Sequence, residues 1–214
     1  MRFASREDAG VRLGCLLRAE GLEIDLTLGL PRGGVVVAAA VARELRRPLD
    51  VLVVRKIGHP GYREFAVGAL AEPDIMVLDE ASMARSRVAR AQLDEVIREE
   101  RTRLREYSAR FHQAGLPDLQ GKSVLLVDDG LATGATTEAA VLAARRRGAN
   151  RVLVGTPVAS VGAVERLAPV ADAVKALFVD PDFEAVGQYY IIFRQTSDDE
   201  VLALLRSARA GELY

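Results

Sequence analysis

Two adjacent carboxylates, Asp128 and Asp129, end a short apolar run, Val124-Leu125-Leu126-Val127, and are followed by Thr133, Thr136 and Thr137 set among glycines and alanines. The apolar run has no polar alternation, the mark of a strand buried on both faces of a parallel sheet. Gly130 to Thr136 form a small-residue turn, and Glu138 to Arg147 continue in a helix-compatible pattern. A strand, a glycine-bearing turn and a helix in that order make an anion site. The unpaired amides of the first helical turn point into the turn, the helix dipole favours negative charge there, and the threonine hydroxyls add donors. One phosphate is the natural guest. The acidic pair would repel it unless it faces the other end of the ligand, where vicinal sugar hydroxyls or a hydrated Mg²⁺ would suit it. The plainer alternative, a strand end whose Asp caps the next helix, fits a lone Asp better than two followed by TGATT. The P-loop lysine, a G-x-G-x-x-G and a G-x-S-x-G are all absent.

A second strand, glycine turn and helix comes earlier: Ile24 to Leu28, then Gly29-Leu30-Pro31-Arg32-Gly33-Gly34, then the apolar helix Val35 to Arg46. It is a second candidate anion site, or else an ordinary strand-to-helix turn. Asp50 to Val54 reads as a further buried strand that delivers Arg55 and Lys56 at the carboxyl edge of the sheet, where such sheets bind ligands; the alternative is a solvated strand end. Ile57 to Val67, with His59, Pro60 and Gly61, has the punctuation of a loop. His59 has no partner at metal-ligand spacing, since His112 lies far along the chain.

These groups need a scaffold. Ser5 to Glu20 reads as a helix capped around Ser5 and Asp8, and Ala69 to Leu78 as a short hairpin. Ala81 to Phe111 reads as one long helix with Leu93, Ile97, Leu104, Tyr107 and Phe111 in an apolar stripe. The many arginines of that helix are interleaved with acids, a solvated face with i,i+4 pairs rather than a nucleic-acid surface. After the linker Gln113 to Gly121 and the central motif come a strand Val152 to Pro157 closed by its proline, a helix Val161 to Leu167, a strand Ala173 to Val179, an aromatic-bearing loop, and a final helix Asp198 to Ala208 with Thr196 and Ser197 as cap candidates. The alternation predicts an α/β fold, a doubly wound parallel sheet of roughly five strands. We expect one domain over 1–214, with residues 69–121 as a helical insertion.

The chain has 214 residues, 50% hydrophobic and 28% charged, with net charge -1, so a domain-wide basic surface for nucleic acid is excluded. A single cysteine, Cys15, excludes a disulfide framework and is expected to pack as a small apolar residue. No apolar run approaches membrane-spanning length and no signal peptide is seen, so the expected setting is the cytoplasm, away from membranes. The outlying helix could cover a second copy, and a homo-oligomer is expected.

At its central motif the chain resembles the type I phosphoribosyltransferases. Their signature for phosphoribosyl diphosphate (PRPP) is a hydrophobic strand, two acidic residues, a short turn, then Thr or Ser, Gly, any residue, and Thr or Ser. Here it is Leu126-Val127-Asp128-Asp129, then Thr133-Gly134-Ala135-Thr136. The resemblance is closest to uncharacterised phosphoribosyltransferases with a similar RKIGHPG flap and AVGQYY-like tail, and no base-recognition residues of the hypoxanthine, orotate, adenine or uracil enzymes are found. It implies a type I phosphoribosyltransferase fold and transfer of 5-phosphoribosyl from PRPP to a nitrogen acceptor, as in nucleotide salvage, with Mg²⁺ as cofactor. Ala132, Thr133, Gly134, Ala135, Thr136 and Thr137 would hold the 5-phosphate. Arg32, Gly33, Gly34, Arg55 and Lys56 would meet the pyrophosphate, with an unusual cis peptide often found in the first of these loops. Asp128, Asp129 and Lys56 would be catalytic, with the two acids near the metal. A flap at about 57–68, with His59, Tyr62, Arg63 and Glu64, would close over PRPP. Phe183, Tyr189 and Tyr190 would meet the acceptor base, although core packing is the alternative for Phe183 and Tyr190. A PRPP- or nucleotide-sensing protein that does not catalyse transfer is the other function class compatible with these residues.

Overall fold

The structure, a computed structural model, describes residues 2–113 and 115–211, the side chain of Glu64 excepted. The expected flap role of Glu64 therefore lies outside the described residues. Strands β1 (Leu26–Gly29), β2 (Leu49–Val51), β6 (Ser123–Val127), β7 (Arg151–Ser160) and β8 (Ala173–Asp180) form a parallel sheet in the order β2-β1-β6-β7-β8. Strands β3 (Val54–His59), β4 (Tyr62–Ala71) and β5 (Ile75–Leu78) form a separate antiparallel sheet.

The apolar runs set this layering. On β6, Leu125 and Val127 join a core with Leu13 and Leu17 of α1 (Arg6–Ala19), Val37 and Val41 of α2 (Gly33–Leu45) and Val201 and Leu205 of α7 (Asp198–Arg209). Val124 and Leu126 point the other way, into a core with Ala139, Ala140 and Val141 of α5 (Ala135–Arg146) and Leu167 of α6 (Val161–Leu167). Every side chain of Val124 to Val127 is fully buried, each contributing about 1.5–3 kcal/mol by removal from water. This is the doubly wound arrangement: a parallel sheet with helices on both faces.

Local chemistry fixes the ends of the helices. The Ser5 hydroxyl accepts from the Asp8 amide at the start of α1, and Ser197 and Glu200 form a reciprocal capping box at the start of α7.

Five expectations are corrected. Strand β2 stops at Val51, and Arg55 and Lys56 sit within β3 of the antiparallel sheet, not at the end of a parallel strand. The cause is Glu72, which binds the Val53 amide through its carboxylate at 3.1 Å and donates its own amide to the Val53 carbonyl at 3.0 Å. The stretch read as a loop is a β-hairpin, β3 to β4, turning at Pro60 and Gly61. The long helix is broken into α3 (Glu80–Ser86), a short 3₁₀ turn Arg90–Leu93 and α4 (Asp94–Phe111); Arg87 takes the left-handed conformation at φ 55° and Ala89 is extended. Pro157 lies inside β7, where pairing to β6 has ended at Gly155 and pairing to β8 passes from Thr156 to Val158, so its missing donor is not needed. Cys15 is exposed beside Glu44 rather than packed in a core.

Candidate active site

The two glycine turns emerge side by side from β1 and β6, neighbours in the sheet. Between them and the antiparallel sheet lies a cavity of about 730 Å³.

Its floor is the turn after β6. Leu131 exchanges backbone hydrogen bonds with the end of β7, its amide donating to Val158 at 2.9 Å and its carbonyl accepting from Ser160 at 2.9 Å. The Ser160 hydroxyl donates to the Ala132 carbonyl at 2.6 Å. The turn is thus tied down before α5 begins. Gly134, at the cap of α5, has φ 73°, a conformation open to glycine at little cost. Ala132, Thr133, Gly134, Thr136 and Thr137 line the cavity. Ala135 does not; it is buried in the first turn of α5, with its amide on the Thr133 hydroxyl at 3.5 Å.

Above this floor stand the two acids. The Asp128 carboxylate accepts the Asp129 amide at 2.8 Å. Burial first, and then the neighbouring Asp129 charge, push the Asp128 carboxyl up to about 8, against the opposing pull of Lys56. Asp129 accepts from Arg6 Nε at 2.7 Å and, through its carbonyl, from the Tyr190 hydroxyl at 2.6 Å.

The turn after β1 supplies Pro31, Arg32 and Gly33 to the cavity, and the Pro31–Arg32 peptide is cis. Gly33 is required by space: a Cβ there would lie 2.1 Å from Asp129 Oδ2. Gly34 faces away from the cavity, against the end of β6, where a Cβ would meet the Val127 carbonyl at 2.7 Å. Arg32 is 3.6 Å from Asp198 at the start of α7.

The far wall comes from β3, β4 and α4. Arg55, Lys56 and Gly58 line it together with Arg63, Glu99, Glu100 and Arg103. Arg55 is held by Glu100 at 3.0 Å and lies over the Tyr107 ring at 5.4 Å, Arg103 reaches the same Glu100 at 2.5 Å, and Arg63 pairs with Glu99 at 3.2 Å. Lys56 is exposed. His59 closes its own hairpin turn by accepting the Gly61 amide at 3.1 Å, and it does not line the cavity.

The acceptor assignment of Phe183, Tyr189 and Tyr190 is not met by this geometry. Tyr189 and Tyr190 are 3% and 5% exposed, in a core with Phe3 and Val158 against which Phe183 packs. Their hydroxyls are committed to Asp180 and to the Asp129 carbonyl, and Val186 takes the place at the cavity that was expected of them. Burial and the Asp129 charge hold the Tyr190 phenol well above its usual range.

Sequence reasoning missed Arg6, Glu99, Glu100, Arg103 and Val186. Glu100 carried a signal, because it fills the i+3 gap in the apolar stripe between Ile97 and Leu104, and a charge on a buried stripe needs partners. Arg6 carried none.

Residues 16–190 match the family described as the phosphoribosyl transferase domain. Two Mycobacterium tuberculosis proteins, from strains CDC 1551 and H37Rv, are 43% identical over 208 residues, 96% of this chain and 47% of theirs. Their name, phosphoribosyl transferase, is itself provisional, and the chain spans about half the length of these relatives. The crystal structure of TT1426 from Thermus thermophilus is similar at TM-score 0.80 and 45% identity, over 96% of this chain and 98% of that one. A purine phosphoribosyltransferase from Pyrococcus horikoshii shares the fold at TM-score 0.50 and 17% identity, over 90% and 93% of the two chains.

Proposed function

Because the chain belongs to the phosphoribosyl transferase family, we propose that it moves the 5-phosphoribosyl group of PRPP to a nitrogen acceptor, a base or a similar compound, and releases pyrophosphate. The observation that supports this reading is the meeting of both glycine turns, the acidic pair and Lys56 around one cavity.

In this reading the turn residues Ala132, Thr133, Gly134, Thr136 and Thr137 grip the 5-phosphate, a remote handle whose binding energy positions the reacting carbon. Asp128 and Asp129 take the ribose hydroxyls and lie close to the positive charge that develops as the bond to pyrophosphate breaks and the bond to the acceptor nitrogen forms. Arg32, Arg55, Lys56 and the amide of Gly33 face the departing pyrophosphate. The hairpin of β3 and β4 covers the ligand and excludes water.

Among the described residues no group of three or more His, Cys, Asp or Glu is arranged to hold a metal; Asp128 and Asp129 would be the residues to hold Mg²⁺, a cation that binds through one or two carboxylates together with substrate phosphates and water. When bound it supplies charge neutralisation of the pyrophosphate oxygens.

The test is calorimetric titration of PRPP with and without Mg²⁺, followed by a panel of purine and pyrimidine bases while released pyrophosphate is assayed. Base-dependent release is the expected result and names the acceptor class. Binding without release would move the assignment to a PRPP sensor, and no binding would overturn the reading of the central motif.

A further inference from the structure

The catalytic reading leaves the charge of Arg6 without a task. Arg6 stands in the first turn of α1, a helix that otherwise packs on α2 and the sheet, yet its side chain runs to the acidic pair and is only 11% exposed. Nε donates to Asp129 Oδ2 at 2.7 Å and Nη1 to the Arg194 carbonyl at 2.8 Å, while the guanidinium lies 4.0 Å from the centre of the Phe193 ring. Phe193 in turn stacks on Tyr190 at 5.2 Å, and Tyr190 holds the Asp129 carbonyl. Arg6 is therefore fixed on three sides, by a carbonyl, a ring and a carboxylate.

Gly33 closes the fourth side. The Cβ position at this residue falls 2.7 Å from Arg6 Nε as well as 2.1 Å from Asp129 Oδ2, so the turn after β1 passes directly over the pair. The Asp129 carboxylate is thus held by Arg6 at one oxygen and lies directly beneath that turn. A planar guanidinium held in this way fixes a carboxylate in direction as well as charge.

We infer that Arg6 is a positioning residue for the transfer, holding the Asp129 carboxylate in the one orientation from which it meets the ribose hydroxyls and supporting the pyrophosphate-side turn through Gly33. This inference rests on the proposed transferase reading, in which Asp129 contacts the sugar. It makes the start of α1 and the segment 190–194 part of the working site, although neither carries a recognisable motif.

The experiment is a cycle of Arg6→Gln, Asp129→Asn and the double variant, with Arg6→Lys as the conservative control. For pyrophosphate release, Arg6→Gln is expected to lower kcat by about tenfold or more, with KM for PRPP changed by less than about threefold, because misorientation is felt most at the transition state. Arg6→Lys is expected to recover most of that loss. Added to Asp129→Asn, Arg6→Gln should cost less than about twofold more, since both act through one carboxylate. Fully additive losses, or a fall in kcat no larger than the fall in folded fraction, would overturn the inference. A ligand-free crystal structure of Arg6→Gln decides independently of PRPP: displacement of the Asp129 carboxylate supports the role of Arg6, and an unmoved carboxylate overturns it even where the transferase reading stands.

Discussion

Arg55 and Glu100 meet at 3.0 Å on the wall of the cavity, and Arg103 joins the same carboxylate from one turn further along α4. The Glu100 side chain is 8% exposed, so two arginines that line the cavity are already answering a buried charge. Glu100→Gln keeps the shape and frees both guanidinium groups. Inorganic pyrophosphate is expected to bind this variant about fivefold tighter than wild type at low salt, roughly 1 kcal/mol. The gain should shrink as salt is raised. Equal affinities in calorimetry would mean that Glu100 does not compete for these arginines.

Gly33→Ala tests the fit of the two turns. The new methyl would press on Asp129 and Arg6, both of which belong to the site rather than to the core. PRPP affinity is expected to fall by about tenfold or more, roughly 1.4 kcal/mol, with the melting temperature little changed. Unchanged PRPP affinity would mean that the turn can shift without disturbing the site.

The attachment of the antiparallel sheet depends on Glu72. This carboxylate is almost fully buried and accepts from the Val53 amide at 3.1 Å and the Ser108 hydroxyl at 2.7 Å, with His112 Nε2 at 2.8 Å. Glu72→Ala leaves all three partners unanswered and is expected to destabilise the protein by about 3 kcal/mol in urea unfolding. A change below about 0.5 kcal/mol would remove Glu72 as the anchor.

Acid sensitivity is expected at Asp172. Burial raises its carboxyl, but the Val152 amide and Arg145 outweigh that, and the folded pKa lies below the ordinary carboxylate value. A carboxyl lowered on folding stabilises fully above its unfolded value, about 3.9, and loses that contribution as pH falls through its folded value. Asp172→Asn should therefore melt below wild type near neutral pH, with the difference narrowing below about pH 4. A difference that stays constant into acid would assign the loss to hydrogen-bond geometry rather than to charge.

The part of the site that lies contiguous in the chain was legible in the sequence. Asp128, Asp129 and the threonines after them could be read because strand, turn and helix follow one another, and the glycine turn at Gly33 because it repeats the same succession. Arg55 and Lys56 line the same cavity but from a different element than the sequence suggests. The apolar run from Val51 to Val54 has no breaker, and it is Glu72, distant in sequence, that draws Val53 out of the sheet. For a similar reason the sequence leaves both acceptor contact and core packing open for Phe183 and Tyr190. Composition gives rings near a sheet edge, while only packing against Phe3 decides that Tyr190 turns inward. Arg6 had no signature at all, since a surface-type residue in a first helical turn announces nothing until its partner is known.

Asp129 draws its partners from both directions along the chain, Arg6 lying 123 positions before it and Tyr190 61 positions after it. Contacts of such separation close late in folding, after local strand–turn–helix units have formed. A chain whose sheet is complete but whose segments around Arg6 and Tyr190 are still loose would already carry the turn after β6, yet its acidic pair would have no fixed direction. In the proposed reading ligand competence would lag behind compaction, and PRPP binding during refolding would report the docking of the segments around Arg6 and Tyr190 rather than the collapse of the core.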